Sequence, residues 1–110
     1  MRHTEPREIK LYRTPNGRVP FSEWYATIQD RSTRHRIQNR LDRLEDGNFG
    51  DCRSLGDGVF ELRFHFGPGY RIYFGEVDNT IVLLLCAGDK SSQARDIRRA
   101  KDYWLQYKEI

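Results

Sequence analysis

Charged and aromatic side chains alternate with apolar ones through residues 59–74, VFELRFHFGPGYRIYF. Strand side chains repeat every two residues, so Glu61, Arg63 and His65 should point one way and Phe60, Leu62, Phe64 and Phe66 the other. Beyond Gly67-Pro68-Gly69 the alternation resumes, with Tyr70, Ile72 and Phe74 set against Arg71 and Tyr73. If those three residues form the loop of a hairpin, Phe66 faces Tyr70, His65 faces Arg71 and Arg63 faces Tyr73. The polar face then carries Glu61, Arg63, His65, Arg71 and Tyr73, a set suited to binding and cleaving a phosphodiester. Guanidiniums offer phosphate oxygens a flat fork of donors, and an imidazole of ordinary pKa, about 6.5, can give or take a proton at neutral pH. Glu61 could act as a base, but it could equally pair with Arg63 or Arg71 and hold a guanidinium in place, and we favour that orienting role. His65 has a plainer reading too, as a surface residue. Two unpaired arginines on a hairpin have little structural purpose.

The surrounding elements must hold this hairpin. Residues 8–13 (EIKLYR) read as a short strand with Ile9 and Leu11 on its buried face, followed by a turn at Thr14-Pro15-Asn16-Gly17. Phe21, Trp24, Tyr25 and Ile28 fall at helical spacing after Pro20. A second helix is expected from Ser32 to Asp46, with Ile37, Leu41 and Leu44 inward and Gly47 as its cap. Its Arg36, Arg40 and Arg43 share one face, which is either a solvated, salt-bridged surface or a contact for RNA. An edge strand is expected around residues 52–55 and a central strand at residues 80–87, whose apolar run suits burial on both faces. Asp78-Asn79 turns the chain between the hairpin and that run. Ser91 or Ser92 should cap a last helix that docks through Ile97, Ala100, Trp104 and Tyr107 and carries Arg95, Arg98, Arg99 and Lys101 on its other side. Asp89 could also cap that helix. The expected order is β-α-α-β-β-β-β-α: an α+β fold with a twisted, mostly antiparallel sheet, an N-terminal helical hairpin and a C-terminal helix.

The chain has 110 residues, enough for one core and one domain. Fifteen of its 19 basic residues are arginines, although the net charge is only +3. That bias suits nucleic acid or an acidic protein partner, and it also accompanies a GC-rich genome. Fourteen aromatic residues supply large buried areas, so disorder is expected only over residues 1–6. Cys52 and Cys86 form no metal-ligand spacing, and no CxxC or HxxxH cluster occurs. Cys86 lies in an apolar run and reads as a reduced, buried thiol. Neither a leader-like apolar segment nor a run long enough to span a bilayer is visible, so a cytoplasmic protein with no membrane, metal or cofactor requirement is expected.

The ELR-x3-GPGYRIYF hairpin and the VLLLCAGDKSSQ-x2-DI-x2-A-x2-YW ending resemble the RelE/ParE toxin superfamily. In particular they resemble its phage-derived, HigB-like addiction module killer protein branch, over nearly the whole chain. The resemblance implies a single RelE-like domain over residues 1–110 and a type II toxin that cuts translated mRNA at the ribosome without a metal. It further implies neutralisation by a cognate helix-turn-helix antitoxin. Members of the superfamily differ, and ParE-like toxins inhibit gyrase instead; an inactive module that only binds its antitoxin is a third possibility.

Carried over residue by residue, the resemblance puts the family's second hairpin lysine at Arg63. Its arginine after Gly-Tyr falls at Arg71, and its basic residue after the last strand at Lys90. The first hairpin lysine falls on Glu61, a reversal of charge, and the C-terminal tyrosine of the best-known members falls near Asp96. Arg63, Arg71 and Lys90 are candidate catalytic residues on the resemblance, His65 joins them from its own chemistry as a proton donor or acceptor, and Glu61 is expected to orient a guanidinium. Arg36, Arg40, Arg43, Tyr73, Arg98 and Arg99 are the candidate contacts to mRNA and the ribosome.

Overall fold

A computed structural model describes residues 6–109 of the chain. The expected disorder over residues 1–6 falls almost wholly on residues outside that range. The elements follow in the order β1 (Glu8–Leu11), α1 (Pro20–Ala26), α2 (Arg31–Glu45), β2 (Cys52–Ser54), β3 (Val59–Arg63), β4 (Arg71–Val77), β5 (Ile81–Gly88) and α3 (Gln93–Lys108). A 3-10 turn, Lys90–Ser92, leads into α3. The strands form one sheet in the order β1-β5-β4-β3-β2, in which β1 runs parallel to β5 and the other neighbours are antiparallel. The fold is α+β, with helices on both faces of the sheet.

Strand alternation divides the core in two. Leu62, Phe64, Ile72, Phe74, Val82 and Leu84 meet Phe21, Ile28, Ile37, Leu41 and Leu44 on the α1–α2 face. Val59, Tyr73, Leu83, Leu85 and Cys86 meet Ala100 and Trp104 of α3 on the other. Ile37 and Leu44 are fully buried, each stabilising by about 1.5–3 kcal/mol relative to exposure. Pro20 opens α1, and Asp30 caps α2 by accepting from the Thr33 backbone N–H. Asp30 thus starts α2 one residue before the expected Ser32. Arg34 locks the helical hairpin, donating to the carbonyls of Ile28 and Tyr25 while lying over the Tyr25 ring. No described helix is long and apolar enough to cross a membrane.

Three expectations are corrected. Leu11 is 44% exposed, and Tyr12 enters the core instead, its ring against Tyr103 and its hydroxyl donating to Gln106. The hairpin register is shifted by two: Arg63 faces Arg71 and Glu61 faces Tyr73. Its loop spans residues 64–70, because Phe66 to Gly69 closes a tight turn of its own, with Gly67 and Gly69 both at positive φ. A shift of two preserves the faces, so the side-chain alternation survives the correction. Finally, neither Ser91 nor Ser92 caps α3 with its side chain. Asp89 caps the 3-10 turn, and the Ser92 hydroxyl donates to Asp96.

Candidate active site on the open strip of the sheet

Two rows of side chains cross the α3 side of the sheet. The first runs Asp51, Arg63, Arg71, Gly88, and the second Arg53, Glu61, Tyr73, Cys86. Helix α3 covers the β4–β5 end of both rows and reaches Glu61 on β3 through Gln93, leaving Arg53 and Arg63 partly open to solvent. Two glycines permit this close cover. A Cβ on Gly88 would lie 1.9 Å from the Asp96 carboxylate, and one on Gly75 would lie 2.4 Å from the Trp104 ring. Asp96 is itself buried, held by Ser92 and within 3.5 Å of Arg99.

Glu61 is the centre of the second row. It is wholly buried and accepts from Arg53 Nε at 2.8 Å, Gln93 Nε2 at 2.8 Å and the Tyr73 hydroxyl at 3.2 Å. Arg71 Nε lies 3.9 Å away. Burial pushes the Glu61 carboxyl up, but the hydrogen bonds from Gln93 and Arg53 and the Arg53 charge outweigh it, so it sits below the usual glutamate range. A carboxylate so stabilised in its charged form is a poor base and a good anchor for guanidiniums. The pairing with Arg63 considered from sequence does not form.

Arg71 is nearly buried, and its Nη1 donates to the Gly69 carbonyl at 2.6 Å. Gly69 draws Arg71 and Lys90 together: a Cβ there would lie 3.0 Å from Arg71 Nη1 and 3.4 Å from Lys90 Cβ. Lys90 is exposed, and its backbone N–H donates to Pro68. Arg63 turns the other way, its Nη2 donating to Asp51 Oδ1 at 3.1 Å. The second Asp51 oxygen holds His65 Nε2, so Arg63 and His65 share one carboxylate. The His65 hydrogen bond, with Arg63 behind it, holds the Asp51 carboxyl below its usual range against the opposing effect of burial. His65 is 74% exposed and does not face Arg71 as the sequence register implied.

Of the expected RNA contacts Tyr73 is corrected, while Arg40 and Arg99 are partly engaged within the fold. Tyr73 is wholly buried beneath α3, with its hydroxyl spent on Glu61 and its ionisation pushed up by burial, so it is closed to RNA. Arg40 is a clamp: it donates to the carbonyls of Arg63 at 2.7 Å and Asp51 at 3.3 Å while lying over Phe64. Arg99 is half-buried against Asp96 and the Tyr103 hydroxyl. Arg36, Arg43 and Arg98 are exposed, Arg36 stacking on the Phe66 ring at 3.7 Å. Arg36, Arg40 and Arg43 frame a recess of about 250 Å³ with Phe64, His65 and Phe66. A larger cleft of about 600 Å³ opens beside Asp89 and Pro68, between Trp24 and Tyr70 on one side and Arg95 and Arg99 on the other.

The chain is 44% identical over 83 residues to an uncharacterised protein of Haemophilus influenzae, a match covering 76% of this chain and 84% of the relative. It belongs to that protein's family. No protein-family model matches the chain.

In this member of the family two groups central to the site escaped the sequence reading. Asp51 sits in a Gly- and Asp-rich stretch that reads as loop, and Arg53 lies on a three-residue strand. The only sequence signal is the β2–β3 pairing, which sets Arg53 opposite Glu61 and brings Asp51 to Arg63. Burial pushes the Cys86 thiol up to about 12 and Cys52 up to about 11, and both cysteines are free. Among the described residues no group of three or more His, Cys, Asp or Glu side chains could hold a metal ion.

Proposed function

We propose that this chain is the toxin of a type II toxin–antitoxin pair, a metal-independent endoribonuclease acting on translated mRNA at the ribosome in the cytoplasm. A cognate helix-turn-helix antitoxin would hold it inactive. The observation that carries this reading is the arrangement at the end of the β3–β4 hairpin. Arg63 and His65 share the Asp51 carboxylate, while Arg71 and Lys90 flank Gly69 across the same hairpin.

In this mechanism the ribose 2′-oxygen attacks the adjacent phosphorus and the bond to the 5′-oxygen breaks. The 2′-hydroxyl proton goes to a base, and the departing oxygen takes up a proton. His65, oriented by Asp51, serves one of the two proton transfers. Arg63, Arg71 and Lys90 stabilise the extra negative charge on the phosphorane oxygens, where removing a single donor costs about 10²–10³ in rate. Glu61 acts through Arg71 and keeps it in place. Arg36, Arg43 and Arg98 supply exposed charge for ribosomal RNA. With a net charge of only +3, free RNA is held weakly, and selectivity comes from the ribosome that presents the message.

The test is end chemistry on translating ribosomes. Cleavage should leave a 2′,3′-cyclic phosphate and a 5′-hydroxyl, and a 2′-deoxy substitution at the scissile nucleotide should abolish it. A 5′-phosphate product, or cleavage of the deoxy substrate, would eliminate 2′-oxygen attack.

A further inference from the structure

We propose that Arg53 is a phosphate-binding residue of this strip, held out to solvent by the buried carboxylate of Glu61. The inference rests on the RNA-cleaving reading for its substrate class, a single-stranded RNA phosphodiester. Of the donors around Glu61, Tyr73 is buried, Gln93 is half-buried in the first turn of α3 and Arg71 is only 13% exposed. The Arg53 side chain alone is 49% exposed. Its contact with Glu61 is made through Nε, at 2.8 Å. A guanidinium carries five N–H donors in a plane, and the four on the two terminal nitrogens have no hydrogen-bond partner among the described residues. Arg53 therefore turns its inner edge to a carboxylate and its outer fork to water, the presentation that suits a phosphate.

Position and charge support the same assignment. Arg53 faces Glu61, and Arg63 lies two residues beyond Glu61 on the same face. The two arginines are thus diagonal neighbours, about 7–8 Å apart at the backbone and within reach of one phosphate for side chains of this length. Three guanidiniums (Arg53, Arg63, Arg71) stand on two carboxylates (Asp51, Glu61) in the two rows. One positive charge is left over, and without Arg53 there is none. A solely structural bridge would need only the inner edge of the guanidinium, and Gln93 and Tyr73 already satisfy Glu61 from within.

The experiment measures binding of the full chain to a labelled, non-cleavable 2′-O-methyl single-stranded oligonucleotide over a range of salt. Arg53→Gln keeps an N–H donor for Glu61 and removes the charge. Its Kd at low salt should rise about tenfold, and the slope of log Kd against log salt should fall by about 0.7, one phosphate contact on a single strand. Arg53→Lys should recover the slope, and both variants should unfold cooperatively, Arg53→Gln at the lower thermal midpoint because Glu61 loses its charged partner. Unchanged affinity and slope in Arg53→Gln would overturn the assignment, as would a wild-type chain that binds no oligonucleotide at low salt. The two readings fail separately. Arg53-dependent binding without mRNA cleavage removes the nuclease and keeps the phosphate site. Cleavage by the wild type with Arg53-independent binding does the reverse.

Discussion

Arg63 and Arg71 face each other across the β3–β4 hairpin, yet their guanidiniums go to different carboxylates, Asp51 for Arg63 and Glu61 for Arg71. The divergence separates binding from stability. Arg63 is 35% exposed, whereas Arg71 is 13% exposed and bonded to the Gly69 carbonyl. Both alanine variants should lose mRNA cleavage by about 10²–10³. In urea unfolding Arg71→Ala should also cost about 1–3 kcal/mol, because the Gly69 carbonyl loses its donor and the buried Glu61 carboxylate loses a nearby positive charge. Arg63→Ala should cost about 1 kcal/mol or less. Equal stability losses would contradict the different anchoring, and full toxicity in both variants would remove the hairpin face as the site.

Asp51 and His65 should behave as a unit. Asp51→Asn and His65→Gln should each slow cleavage by about 10²-fold or more, and the double variant should be little worse than either single one. Additive losses in single-turnover cleavage would mean that the carboxylate does not act through the imidazole.

Acid should loosen the strip before the rest of the fold. The folded-state pKa of Glu61 is depressed, so its contribution is fully present above the ordinary glutamate value, about 4.3. It is lost as pH falls through the lower folded-state value. Thermal midpoints measured from pH 6 to pH 2 should drop more steeply for wild type than for Glu61→Gln. Parallel curves would contradict the stabilised buried carboxylate.

The arginine row of α2 should split by role. Charge reversal at Arg36 and Arg43 together should weaken ribosome binding and leave unfolding within about 1 kcal/mol of wild type, since both are exposed and Arg36 loses only a ring contact. Arg40→Glu should instead destabilise the fold by about 1–3 kcal/mol, because the Arg63 and Asp51 carbonyls lose a donor. Sedimentation with ribosomes and urea unfolding on the same variants separate the two effects.

The order of elements was legible because it rests on periodicity: Phe21 after Pro20, Ile37, Leu41 and Leu44 on α2, and Ala100 and Trp104 on α3 all bury as their spacing implies, while Ile28 buries from the connection just past the end of α1 at Ala26. Faces were legible for the same reason, since a register shift of two leaves them unchanged. What escaped depends on contacts between distant parts of the chain. Tyr73 was legible as polar-facing but not as covered, because cover comes from α3, about thirty residues on, settling over Gly75 and Gly88. Arg40 looked like its neighbours Arg36 and Arg43 because a helical row does not reveal which member reaches a carbonyl. His65 found Asp51 instead of Arg71 because the loop closes over residues 64–70 and the β2 edge supplies the nearer carboxylate.

The most direct measurement is 5′-end mapping of mRNA, with supercoiling assayed in the same culture, after the chain is induced without a partner in a bacterial host. The account predicts new ends inside translated reading frames, 5′-hydroxyl in chemistry, present with the wild type and absent with Arg63→Ala. Intact mRNA with inhibited supercoiling would contradict it and assign the chain to gyrase instead.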